Sequence, residues 1–215
     1  MQNMLQVLGA NFPLEKKNVG EFEKIKVKGM NFTIEQYYAK GLGNVSVMRA
    51  AGFFGLMKMD TLIVNPTECD APLFSYDRVL AMGNDTLILE LYDTILGERN
   101  LSEVQKVKDC YKALPAHDLG SHWYDGIKLA ESDSKKGKKK DSPAFDDMAA
   151  DYFKAYVECA KHAPACEGDA KREKASVYVE GLLSNGGPST DIFKQHYGEE
   201  KTALLFRNIL FGTNA

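Results

Sequence analysis

Cysteine is scarce in this chain and never falls in a metal-binding or redox arrangement. Cys69, Cys110, Cys159 and Cys166 are the four present. No CxxC pair and no Cys/His zinc spacing joins them, so reduced thiols in a cytosol are the default expectation. Cys159 and Cys166 are near neighbours in sequence and are expected to stay unbridged. No apolar run reaches the roughly 20 residues of a membrane-spanning helix. The opening stretch, MQNMLQVLGANFPLEKK, has no basic segment before its short apolar part; no signal peptide and a cytoplasmic location are expected. Charge of one sign is also missing: 27 Lys and Arg face 30 Asp and Glu, a net charge of -3. That removes any general case for nucleic acid or an anionic membrane as partner. Catalytic signatures are missing too. No glycine pattern fits a dinucleotide or phosphate loop, and GLGNVS at Gly41 opens no suitable helix. There is no GxSxG elbow and no HExxH helix. His117 and His122 are the closest histidine pair, but the spacing and Gly120 oppose a common helix face. Solvated loop histidines are preferred there over a metal pair.

What is present is an ordered succession of strands and then helices. A balanced composition over 215 residues suits one domain, residues 1–215, with a sizeable core. Alternation marks strands at Glu23–Val27, Phe32–Ala39, Val45–Arg49 and Leu56–Val64, with Gly41, Gly43, Gly52 and Gly55 between them. From Pro72, Leu73, Ser75, Asp77, Val79 and Ala81 point one way; Phe74, Tyr76, Arg78 and Leu80 point the other. Met82-Gly83-Asn84-Asp85 has turn chemistry. Thr86 to Thr94 alternates again, with Leu87, Leu89 and Leu91 opposite Ile88, Glu90 and Tyr92. Helical spacing marks Ser102–Leu114, Pro143–Ala163, Ala170–Leu183 and Thr190–Leu210, the last with a break near Gly198. Strands followed by helices predict an α+β fold, an antiparallel sheet with helices mainly in the C-terminal half.

Two features stand out. Asp77 lies mid-strand, where burial of a carboxylate is costly. A two-residue turn at Gly83-Asn84 would pair it directly with Glu90, and paired carboxylates raise a pKa. The plain alternative is that both acids are solvated on an open sheet face. The second feature is Glu131–Asp141, which carries Lys135, Lys136, Lys138, Lys139 and Lys140. It reads as a flexible basic loop, about 131–142, either simply solvated or a docking patch for an acidic partner.

The segment NPTECDAPLFSYDRVLAMGNDTLILELYD resembles the central part of the ferredoxin-dependent bilin reductases. Asn65-Pro66 stands for the end of one strand, Pro72–Asp77 for the Pro-x-Phe-x-x-Asp strand, and Glu90 or Asp93 for the acidic close. SHWYDGIKLAES and HYGEEKTALLFRNILFG resemble two further family segments, in the same order. The resemblance implies an α/β/α sandwich around a central antiparallel sheet, with an open-chain tetrapyrrole such as biliverdin between sheet and C-terminal helices. It implies no bound flavin, nicotinamide or metal, with reduced ferredoxin supplying single electrons in a radical mechanism and the protein supplying protons. Asp77 then matches the family's central proton donor, with Glu90 as its partner. Arg49 and Lys194 are candidates for propionate salt bridges. Asp191, a turn beyond a position acidic in several members, is a further substrate-binding candidate. Arg78, on the other strand face, is placed outside the pocket. Phycocyanobilin-forming members carry a histidine and a glutamate near where this chain has Asp60-Thr61 and Met48-Arg49, so that subgroup's reaction is not expected. A monomer is expected. The rival readings are a non-catalytic tetrapyrrole or haem carrier on the same fold, and an assembly protein in which the Tyr152-Tyr156 stripe is simply core.

Overall fold

The structure is a computed structural model that describes residues 1–98 and 100–214. An N-terminal helix α1 (Gln2–Asn11) leads into seven consecutive strands: β1 (Leu14–Lys17), β2 (Lys24–Val27), β3 (Met30–Ala39), β4 (Gly43–Gly52), β5 (Met57–Pro66), β6 (Leu73–Ala81) and β7 (Asn84–Tyr92). Helix α2 (Ser102–Cys110) and strand β8 (Asp133–Lys138) follow. Helices α3 (Ser142–His162), α4 (Gly168–Asn185), α5 (Pro188–Tyr197) and α6 (Glu199–Leu204) complete the chain, α6 running into a π-helical segment, Leu205–Leu210. The strands form one eight-stranded sheet in the order β1-β3-β4-β5-β6-β7-β8, with β2 also on β3. Every pairing is antiparallel, as short connections between sequential strands require. The expected α+β sandwich with a central antiparallel sheet is therefore the observed fold.

Strand alternation gives the sheet two apolar faces, and each is covered. One presents Val45, Val47, Leu62, Val64, Phe74, Leu87, Leu89 and Leu91 to α1, α2 and α3. On α3, Phe145, Met148, Tyr152, Phe153 and Tyr156 recur at helical spacing and are buried. Phe74 packs against Tyr156, centroids 4.9 Å apart, and the hydroxyls of Tyr152 and Tyr156 donate to the carbonyls of Glu131 and Pro72, each at 3.0 Å. The Tyr152-Tyr156 stripe is core, as the plainest reading of it holds. The opposite face carries Ile34, Met48, Ile63, Leu73 and Tyr92 and is covered by α4, α5 and Leu205–Phe211. Polar strand residues fasten that last segment. Ser46 donates to the Leu210 carbonyl at 2.7 Å, and Asn65 donates to the Phe211 carbonyl at 2.6 Å.

Three expectations are corrected. The basic stretch is not a flexible loop: residues 133–138 are strand β8, paired with β7 from Asn84↔Lys138 to Leu89↔Asp133. An edge strand with one exposed side tolerates lysines, which also protect that edge from pairing with other chains. Lys135 is buried there, its ammonium 3.0 Å from Asp133. The turn between β6 and β7 is Met82-Gly83, both with positive φ, rather than Gly83-Asn84. Finally, of the C-terminal helices expected over the tetrapyrrole, α3 lies on the face opposite Asp77; the helices on the Asp77 side begin at Gly168. Helix α1 and strand β1 had no counterpart in the sequence reading. The cysteines are free, including Cys159 and Cys166.

Candidate functional site

Asp77 sits in the middle of β6, on the face turned toward α4 and the C-terminal segment. The Met82-Gly83 turn sets its pairing: Asp77 is opposite Ile88, and Glu90 is opposite Ser75. The expected direct Asp77–Glu90 pair is thus replaced by a diagonal one. Both acids remain on the same face, because a shift of two residues along a strand preserves its side.

Asp77 is half-buried and has no cationic partner among the described residues. Its Oδ1 accepts from the Thr61 hydroxyl on β5 and its Oδ2 accepts from the Ser75 hydroxyl at 3.2 Å. Burial raises its pKa above the ordinary aspartate value, and the two hydroxyls offset only part of that. Glu90 is buried. Its Oε2 accepts from the Tyr92 hydroxyl at 2.6 Å, while Oε1 has no hydrogen-bond partner among the described residues. Burial raises its pKa first; the Tyr92 hydroxyl opposes this, the Asp77 charge adds to it, and Lys128 and His122 oppose it. Lys128 lies 3.9 Å from Glu90 but also 3.1 Å from Asp125.

An aromatic wall flanks these carboxyls. Tyr92 stacks on Tyr178 of α4 at 4.0 Å, and Tyr124 meets both edge-on at 5.6 and 5.8 Å. His122 lies on Tyr124, and Trp123 lies on Tyr178 at 5.7 Å. Gly181 makes room for the indole: a Cβ there would stand 2.1 Å from Trp123 Cη2. Beyond Asp77, toward the Met82 turn, helical cover thins. Met57, Met59, Val79, Thr86 and Ile88 are half-buried, whereas Ile63, Leu73 and Tyr92 at the other end are buried. Asp77 therefore stands where a closed core gives way to a part-covered apolar sheet surface. A flat, largely apolar ligand laid on that surface would complete its burial and bring its polar atoms against the Asp77 carboxyl.

The other candidates do not converge here. Arg49 alternates with Met48 on β4 and so projects from the opposite face, where it pairs with Glu35 at 2.9 Å. Lys194 donates to the Leu183 carbonyl, tying α5 to the end of α4. Asp191 is exposed in the first turn of α5, packed against Gly186 of the α4–α5 turn. Arg78 lies on the far face as expected, bonded to Asp85. No group of three or more His, Cys, Asp or Glu side chains that could hold a metal ion occurs among the described residues. Thr61, Ser75, Tyr92, Tyr124 and Tyr178 were not singled out as site residues in the sequence. The available signal was strand parity for Ser75 and Tyr92, and the SHWYDGIK segment for Tyr124.

No protein-family profile matches the chain, and no curated protein sequence is significantly similar to it. Its structure, however, superposes on the crystal structure of phytochromobilin synthase from tomato in complex with biliverdin. The TM-score is 0.79 over 99% of this chain and 81% of that one, at 12% sequence identity. At that identity the likeness establishes a shared fold.

Proposed function

We propose that the protein is a reductase of a linear tetrapyrrole, a bilin such as biliverdin. The observation that carries this reading is Asp77: a carboxyl raised in pKa by burial, paired with no cation among the described residues, at the inner edge of a part-covered apolar surface. The shared fold with a biliverdin-bound protein supports the choice of ligand. Reducing one double bond takes up two electrons and two protons. A ferredoxin-class donor supplies the electrons one at a time, and no flavin, nicotinamide or metal need be bound. Asp77 gives a proton to the reduced tetrapyrrole and regains one from solvent. Glu90, whose pKa burial also raises, is its reserve. The propionates are held by groups other than Arg49, which is on the wrong face, and Lys194, which is engaged by Leu183. The protein works as a monomer.

Absorbance titration with biliverdin, followed by a reducing ferredoxin system, tests this. The expected result is a spectral change on mixing and a second on reduction. A change on mixing with none on reduction would leave a pigment carrier. No change at either stage overturns both readings.

A further inference from the structure

One line of paired residues runs through strands β2 to β8 at one end of the sheet: Val27↔Met30, Met30↔Gly52, Gly52↔Met57, Met57↔Ala81, Ala81↔Asn84 and Asn84↔Lys138. The connections beyond that line all leave from the same end. They are Lys28-Gly29, Phe53–Leu56, Met82-Gly83 and the Lys139-Lys140 turn after β8. Two are apolar and unprotected. Phe54 is 108% exposed, Phe53 57% and Leu56 69%; Met82 is 90% and Leu80 38%. The Met82 N–H donates to the Leu56 carbonyl, so the two tips are adjacent. Phe53, Phe54 and Met82 all have positive φ, a conformation that favours glycine. Bulky apolar side chains stand at positions where both the backbone and the solvent disfavour them. Around the tips are Lys26, Lys28, Lys58, Lys138, Lys139 and Lys140, all exposed. Lys28 and Lys138 are bonded to the neutral amides of Gln195 and Asn84, so their charges stay uncompensated.

We infer that this end of the sheet docks on an anionic lipid surface, with Phe53, Phe54, Leu56 and Met82 entering the interface and the lysines resting on the headgroups. An open hollow floored by Ala51 and Gly52 lies between the Phe53-Phe54 tip and the Lys26–Gly29 turn; apolar side chains projecting beyond it inside a basic rim suit a soft, planar partner, whose acyl chains adapt to their shape. The basic rim gives the sign of the surface. No helix of the described residues is long and apolar enough to cross a membrane, so the association is peripheral. The overall charge of -3 conceals this basic end. The inference does not depend on the tetrapyrrole reading.

Vesicle flotation tests it. One set of vesicles is phosphatidylcholine alone; in the other a third of the lipid is phosphatidylserine. The wild-type protein should float with the anionic set, less so at high salt, and poorly with the neutral set. Phe53→Ser with Phe54→Ser should abolish flotation. Lys138→Ser, Lys139→Ser and Lys140→Ser together should weaken it about a hundredfold, from a contribution of about fivefold for each lysine near an anionic leaflet. Circular dichroism checks that these exposed-site variants fold. Absence of flotation on anionic vesicles, or flotation unchanged by the phenylalanine variants, overturns the proposal. If the same tips are instead protected from hydrogen exchange on adding a ferredoxin, the surface is a protein interface and the lipid assignment is wrong.

Discussion

Both faces of the sheet bury a carboxylate from the β6–β7 hairpin, and they treat it in opposite ways. On the α3 face, Asp85 is fully buried but receives Nε and NH2 of Arg78 in a bidentate bond, with Ser142 donating as well. The guanidinium also lies 5.2 Å from the centre of the Phe145 ring. On the α4 face, Asp77 receives two hydroxyls and, among the described residues, no cation. A bidentate ion pair keeps an acid ionised and immobile. Hydroxyl partners under partial burial leave an acid able to hold and release a proton. The contrast separates a structural carboxylate from a chemical one, although the two are eight residues apart in sequence.

The sharpest way to break the comparison is Asp85→Ala. It leaves the buried Arg78 with only the exposed Asp146, 3.4 Å away, as counter-charge, and should cost about 3 kcal/mol in urea unfolding. Asp77→Asn should not destabilise at neutral pH, since it removes no ion pair. If the two variants destabilise equally, the faces do not differ as described.

Turnover should reverse the ranking. Asp77→Asn should lower bilin reduction about a hundredfold, the loss expected for a general acid, with pigment affinity retained. Its stability profile has a definite sign. Because the folded pKa of Asp77 is raised, the folded protein holds the proton where the unfolded chain has lost it. Wild-type stability is therefore reduced by Asp77 as pH rises from the ordinary aspartate value, about 3.9, through the raised folded value. Asp77→Asn should gain on wild type across that window and match it below. A difference that shrank with rising pH would contradict the raised pKa.

How much of this was legible in the sequence depended on whether the signal was local. Alternation through Leu73–Ala81 put Asp77 and Arg78 on opposite sides, because parity within one strand needs no register; Glu90 joined the Asp77 side only because the actual turn, like the expected one, has two residues, so the register shift is even. Register needed the turn, and Met82 in a left-handed conformation is not what side-chain preference predicts. Arg49 was misplaced for a related reason: parity along β4 is readable, but relating it to Asp77 requires the β4–β5–β6 register. Strand β8 was hidden because an edge strand exposed on one side needs few apolar residues. Lys171 shows the limit most clearly. In the sequence it looks like a solvent-facing helix residue. In the fold it is fully buried, and its ammonium donates to the carbonyls of Ala71 and Thr94, each at 2.7 Å, pinning α4 to the sheet.

Gly181→Ala sharpens the comparison from the aromatic wall. The added methyl would overlap the Trp123 ring, which must move. Trp123 is 39% exposed and has somewhere to go, so the cost should be near the lower end of overpacking penalties, about 1 kcal/mol. The chain has a single tryptophan, so its fluorescence reports the change directly and should shift to longer wavelength. Unchanged emission would mean that the indole does not rest on Gly181.

The smallest expected effect tests whether the two acids of the α4 face form one site. Burial is the largest cause of the raised Glu90 pKa, and the Asp77 charge is a lesser one of the same sign. The diagonal register weakens their contact relative to a direct pair but keeps both on one face. Asp77→Asn should therefore let Glu90 ionise at a lower pH, by less than burial has raised it. Tyr92→Phe should act in the opposite direction, since it removes the hydroxyl that favours the ionised form. Carboxyl-labelled carbon-13 NMR across a pH titration reads both variants on the same nucleus. Opposed shifts would show two carboxyls sharing one electrostatic environment, able to pass a proton between them and a ligand. A Glu90 titration indifferent to Asp77 would make them independent acids, and Glu90 would lose its role as the reserve donor.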